Sequence, residues 1–247
     1  MFVFLLFLSL PRVLSSPSFP ATPISPTELR DCLADKRIAF VGNSVTRARA
    51  FSLHHLLASD VPDKNREEQK NFCGKSGANA FEGEVCRLYA GGTHIEFQWV
   101  WAVYNEIVEN LLRSPDFDYI LFNAGSHYIF TNVADKFERA AQEADMLTSR
   151  TADISRQKLW YFTTTRLCDQ GMAEKEKEIE TMNEVLQNKF FAAGINIFDA
   201  WTSNDTCIAW DDHTHSERMA RAHVMVWANR VCGSFDRFAS TAALHTP

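Results

Sequence analysis

Two rhythms of apolar residues alternate along the chain. Short runs that are apolar almost throughout predict buried strands at 37–42 (RIAFVG), 94–101 (HIEFQWVW), 118–123 (DYILFN), 158–164 (KLWYFTT) and 195–198 (INIF). Longer amphipathic stretches between them predict helices over 45–58, 103–113, 133–149, 173–192 and 216–231. Strands separated by helices imply βαβ units and a parallel sheet. The expected fold is therefore α/β, three layers deep (α/β/α), around a central parallel sheet of about five strands, flavodoxin-like in outline. In such sheets ligands gather at the carboxyl ends of the strands. The run EKEKEIE at 174–180 reads as the solvated face of a helix. Residues 60–90 form a polar insertion of weak periodicity, expected to be irregular and to lie over the cleft.

The first thirty residues break this rhythm. Residues 2–10 are nearly all apolar, too few to span a bilayer. With the small residues Ser15 and Ser16 behind them, they predict a secretory signal peptide over 1–16. Pro17, Pro20, Pro23 and Pro26 follow, so 17–30 reads as a stiff linker, 31–235 as the domain and 236–247 as a tail. The expected location is outside the cell or in the lumen of the secretory pathway, without stable membrane insertion.

Composition narrows the classes further. The chain has 247 residues, 46% of them apolar and 23% charged, enough for one sizeable domain with its own core. A net charge of −6 disfavours nucleic acid as a partner, because phosphate binding needs a basic surface. Nineteen Phe and six Trp predict a well-filled interior or an aromatic-lined cleft. Cys32, Cys73, Cys86, Cys168, Cys207 and Cys232 contain no C-x-x-C pair, which argues against structural zinc and for disulfides. Many pairings are possible. The expected set is Cys73–Cys86, closing a Gly-rich loop, Cys207–Cys232, tying the last segment, and Cys32–Cys168 as the remainder. Asn204-Asp205-Thr206 is a glycosylation sequon.

Four short stretches carry candidate chemistry. In FVGNSVTRAR (40–49), Ser44 stands where a strand gives way to a helix. It is either a helix cap or a nucleophile with helix-terminal amides beside it. In WDDHTHSERMARAH, Asp212 and His215 are spaced D-x-x-H before a helix. A carboxylate there can hold the imidazole by Nδ1–H and leave Nε2 for the cleft, the orienter-and-base half of a Ser-His-Asp triad. Asp211, His213 and His223 compete for these roles, and a cap beside a solvated histidine explains the pair as well. In LFNAGSHY (121–128), Asn123 ends a strand and is either an oxyanion donor or part of an Asn-Ala-Gly turn. In YAGGTH (89–94), the pair Gly91–Gly92 presents a backbone N–H or makes a hairpin turn.

Taken together and in this order, these blocks resemble the SGNH/GDSL hydrolase superfamily, whose motifs carry Ser, Gly, Asn and Asp-x-x-His. FVGNSVTR is similar to the F-[IV]-G-D-S-x-x-R opening of the PC-esterase group, which includes trichome-birefringence-like polysaccharide O-acetyltransferases. LFNAGSH is similar to that group's N-x-G-x-H block, and DDHTHSERMARAHVMVWANRVC to its closing helix. The resemblance spans roughly residues 36–232 but rests on a handful of positions. It implies Ser44 as nucleophile, His215 as base and Asp212 as its orienter. It also implies an oxyanion hole built from the Ser44 amide, Gly91 or Gly92, Asn123 and Arg47. Arg47 and His127 would touch substrate. The chain departs from the pattern at Asn43, where the group has Asp, and it lacks a membrane-spanning acyl-donor module and the Trp-rich C-terminal signatures of the plant enzymes.

The implied reaction is acyl transfer through a serine ester, needing no metal and no cofactor. The expected substrate is an O-acylated, above all O-acetylated, carbohydrate, with Trp99, Trp101, Trp160 and Trp201 as candidate stacking faces. A lipid or small-ester hydrolase and a non-catalytic glycan-binding module are the alternatives.

Overall fold

A computed structural model describes residues 24–58, 85–154, 158–165, 173–201 and 217–233. In chain order the elements are α1 (Pro26–Leu33), β1 (Arg37–Gly42), α2 (Ser44–Leu57), β2 (Val85–Ala90), β3 (Thr93–Trp99), α3 (Glu106–Arg113) and β4 (Tyr119–Phe122). They continue with α4 (Ser126–Phe130), α5 (Lys136–Arg150), β5 (Leu159–Phe162), α6 (Ala173–Ala192), β6 (Asn196–Phe198) and α7 (Glu217–Cys232). The strands form one sheet in the order β2-β3-β1-β4-β5-β6. All neighbours run parallel except β2, which is antiparallel to β3.

Alternation along the strands builds the three layers. On β1, Ile38 and Phe40 face a layer made by α1, α2 and α7, whose Leu29, Leu33, Leu53, Val224 and Trp227 are buried there. Ala39 and Val41 face the other side, against Leu112, Leu147, Ile179 and Phe190 of α3, α5 and α6. Both faces of a central parallel strand are thus dry, which is why its sequence is apolar throughout.

Three elements lie where none was expected. Residues 26–30, read as the end of a linker, open α1. Ser25 accepts from the Glu28 N–H while the Glu28 carboxylate accepts from the Ser25 N–H, and Pro26 fills the first helical position. The short helix α4 follows Gly125. Strand β2 occupies the end of the supposedly irregular insertion, with Val85, Arg87 and Tyr89 exposed and Cys86, Leu88 and Ala90 buried, the alternation of an edge strand.

The disulfide pattern is also corrected. Cys32 bonds Cys232 across 200 residues, their Cα atoms 5.8 Å apart, so neither Cys32–Cys168 nor Cys207–Cys232 forms. The reason is tertiary: α1 and α7 are distant in sequence but share one face of the sheet. Cys86 is disulfide-bonded too. Cys73, Cys168 and Cys207 lie outside the described residues, as do the signal-peptide segment, the tail and Asn204. Among the described residues no helix is long and apolar enough to cross a membrane.

Candidate active site

The central strand β1 ends on a turn that only glycine fits. Gly42 has φ +150°, and a Cβ there would lie 2.5 Å from the Asn123 carbonyl oxygen and 2.6 Å from Thr46 Oγ1. The close approach draws the ends of the neighbouring strands together: Val100 N–H donates to Gly42 O and Asn123 N–H to Val41 O, each at 3.0 Å. Asn43 then caps α2. Its Oδ1 accepts from the N–H of Val45 at 3.0 Å and of Thr46 at 3.4 Å. Its Nδ2 donates to Ser126 Oγ at 2.7 Å, a bond that carboxylate oxygens in its place would not donate. Asn43 therefore completes the turn on its own terms.

Ser44 is the first residue of α2 and is half-buried at the carboxyl edge of the sheet. The first turn of α2 has no acidic side chain of its own to offset the positive end of the helix dipole there. Arg47, one turn further, lays its guanidinium over Trp99 at the end of β3, 5.4 Å from the ring centroid. Trp101, just beyond, stacks on His127 of α4 with centroids 4.6 Å apart and planes 25° apart. A carboxylate clamps the loop between Trp99 and α3. Glu143 accepts from the N–H groups of Val103 and Tyr104 at 3.1 Å and from Tyr128 Oη at 2.5 Å, and pairs with Arg139 at 2.8 Å. Burial, reinforced by Glu143, raises the Tyr128 hydroxyl pKa above its ordinary value, so it stays a donor.

The structure thus brings Ser44, Arg47 and His127 to one edge. It places two predicted residues otherwise. Gly91 and Gly92, with φ +55° and +81°, close the two-residue hairpin from β2 to β3. Gly92 O accepts from Asp35 N–H, just before β1 begins. That is the amino edge of the sheet, about 20 Å of strand from Ser44, so neither glycine belongs to an oxyanion hole. Asn123 is at the right edge but is 2% exposed, and its Nδ2 donates to Phe162 O at 2.7 Å and to Thr164 Oγ1 at 3.2 Å. Both amide hydrogens are committed, and Asn123 staples β4 to the end of β5 instead of donating to substrate.

Asp212 and His215 lie outside the described residues. Four positions after His215, Met219 in the first turn of α7 packs on Val45, the residue following Ser44. His223, a competing base, is ruled out by its surroundings. It is buried with Nδ1 facing the Arg49 guanidinium at 3.4 Å, and burial, with Arg49, pushes its pKa down to about 2.

Residues the sequence did not single out also shape this edge. Thr163 Oγ1, beyond β5, accepts from the N–H groups of Ala200 and Trp201 at 2.7 and 3.1 Å. Asn183 of α6 exchanges two 2.8 Å bonds with the backbone of Thr164. Arg49 is enclosed among α2, α7 and the end of β5. Their polar side chains sit in segments otherwise read as core, and only their clustering in space marks them. Among the described residues no group of His, Cys, Asp or Glu is arranged to hold a metal ion.

This arrangement, a six-stranded, mostly parallel sheet flanked by helices on both faces, is a fold shared with solved α/β hydrolases. The α/β hydrolase LAE5 from the metagenome of Lake Arreo, Spain, matches it with a TM-score of 0.51 at 12% identity, over 82% of this chain and 97% of its own. The acetylxylan esterase Axe2 from Geobacillus stearothermophilus matches with a TM-score of 0.50 at 10% identity, over 81% and 95%. No protein-family model and no curated protein matches the sequence.

Proposed function

We propose that this chain is a serine-dependent acyl esterase or O-acetyltransferase acting on O-acetylated glycans, with Ser44 as nucleophile, His215 as general base and Asp212 as the group that orients it. One observation carries this reading. Ser44 opens α2 at the carboxyl end of the central strand, and the Val45–Met219 contact brings the start of α7, just after Asp212 and His215 in the chain, against the same turn.

In this reading Ser44 Oγ bonds to the ester carbonyl carbon while its proton passes to His215. The carbonyl electron pair moves onto oxygen, then returns to expel the alcohol, which takes the proton from His215. Water or a sugar hydroxyl removes the acyl group by the reverse sequence. The Ser44 N–H at the helix terminus and the Arg47 guanidinium are the donors proposed for the oxyanion; losing one such donor typically costs roughly 3–4 kcal/mol. The loop between Trp99 and α3 is joined to the Gly42 turn through Val100 N–H and so borders the same edge as Ser44. The glycan assignment is supported by the half-buried Trp99 and Trp101, each stacked by a neighbour at this edge. It is also in keeping with the acetylxylan esterase activity named for Axe2. A location in the secretory pathway is supported by the Cys32–Cys232 disulfide.

The test is intact-mass measurement after treating wild type and Ser44→Ala with a fluorophosphonate. The expected result is one adduct on the wild type and none on the variant, with hydrolysis of acetyl esters lost in Ser44→Ala. A folded wild type that forms no adduct overturns the reading.

A further inference from the structure

Behind the Ser44 turn lies a buried charge. Arg49, five residues along α2, is 1% exposed. Its Nη2 donates to the Thr163 carbonyl at 3.4 Å and faces His223 Nδ1 at 3.4 Å, both at the long end for hydrogen bonds. Nε and Nη1 are buried with no hydrogen-bond partner. The guanidinium lies over the Phe162 ring, 4.9 Å from its centroid. Among the described residues no carboxylate pairs with it: the titratable groups there that face it are His223 and Tyr161, both held neutral by burial. Burial lowers the Arg49 pKa to about 9, which still leaves the group charged at neutral pH.

An unpaired buried cation works against stability, and replacing buried charges by apolar side chains of similar volume is often neutral or stabilising. Two long bonds do not offset that penalty. Arg49 is thus a local conflict of the kind that functional sites retain. Its surroundings indicate what it serves. Five residues of helix put it about 7.5 Å of rise from Ser44. Its guanidinium reaches the carboxyl end of β5, the edge at which Ser44 stands.

We propose that Arg49 is a fixed internal positive charge whose field stabilises the negative charge that develops on the acyl oxygen when Ser44 is attacking. This rests on the assignment of Ser44 as nucleophile. Arg49 does not touch substrate; it reinforces the positive end of α2 from inside the protein, where solvent does not screen it. A unit charge about 10 Å away, at an effective dielectric near 20, changes such a rate by roughly tenfold.

The experiment uses the full chain with Arg49→Met, Arg49→Gln and Arg49→Lys. It reads melting temperature, the rate of fluorophosphonate labelling, and kcat and KM on a p-nitrophenyl ester. The neutral variants are expected to melt at or above the wild-type temperature, to label roughly tenfold more slowly and to lose kcat with KM unchanged. Arg49→Lys is expected to recover most of the rate. Neutral variants that label at the wild-type rate overturn the inference, as does a Lys variant as slow as Met. Failure of the neutral variants to fold also overturns it, because the charge would then serve the fold. A wild type that is not labelled removes the assignment of Ser44 itself, whereas a labelled wild type with an unaffected Arg49→Met removes only this inference.

Discussion

Gly42 and the pair Gly91–Gly92 all hold positive φ beside strands of the same sheet, yet they stand at opposite ends of it. At the carboxyl end, Gly42 lets three strand ends converge and is followed by a cap and a serine. At the amino end, the glycine pair reverses the chain and its bonds are spent locally, on Asp35 and the hairpin. Around the first turn, Asn43, Ser126, Arg47, His127 and Trp101 gather. Among the described residues, the atoms nearest a Cβ at Gly91 belong to Arg30 and Leu57, and those nearest one at Gly92 to Ala34 and Asp35. Local sequence makes either turn look usable. Strand direction decides which one sits where ligands bind in an open parallel sheet.

The sharpest way to break this contrast is Gly42→Ala. The new Cβ meets the Asn123 carbonyl oxygen, which cannot swing away, as well as Thr46 Oγ1. The expected loss is about 3 kcal/mol or more by urea unfolding, with ester hydrolysis lost alongside. Next in size is the pH dependence contributed by His223. Its folded pKa, about 2, lies below the unfolded value near 6.5, so below pH 6.5 only the unfolded chain binds the proton. Stability then falls as pH drops, by up to about 1.4 kcal/mol per pH unit, and is fully present above pH 6.5. His223→Gln is expected to flatten that slope in unfolding curves between mild acid and neutral pH. Gly92→Ala comes third. Among the described residues the nearest atom lies at 3.7 Å, an ordinary contact, so the φ of +81° is what opposes it. A loss of about 1 kcal/mol is expected, with labelling of Ser44 unchanged. The smallest effect belongs to Asn43→Asp. A carboxylate keeps the two cap bonds and suits a helix N-terminus, while Ser126 turns to donate, so thermal unfolding should shift by less than about 1 kcal/mol.

Much of this was legible beforehand. Five of the strands stand out as apolar runs because parallel strands are dry on both faces, and Ser44 drew attention by its place between a strand and a helix, whereas Arg47 and His127 were picked out only by the resemblance of their motifs. The glycine pair was misread although the signal was present: a turn that precedes a parallel strand lies at the amino edge. Strand β2 escaped notice because its neighbours in the insertion carry no period, although its own six residues alternate. Asn123 was placed correctly but given the wrong task, since local sequence does not reveal that the end of β5 would take both its hydrogens. Arg49 with His223 had no sequence signal at all. The two are 174 residues apart and meet only because α2 and α7 share a face.

That shared face also brings the beginning and the end of the described body together. Ile24 N–H donates to Asn229 Oδ1 at 2.7 Å, and the Cys32–Cys232 bond clasps the same pair of helices. The polypeptide is thereby closed into a ring in all but its peptide backbone. A body of this kind is suited to circular permutation, with new ends opened at an exposed loop and the old ones fused by a short bridge. It is equally suited to being nested inside a host protein, entering and leaving through a single surface point.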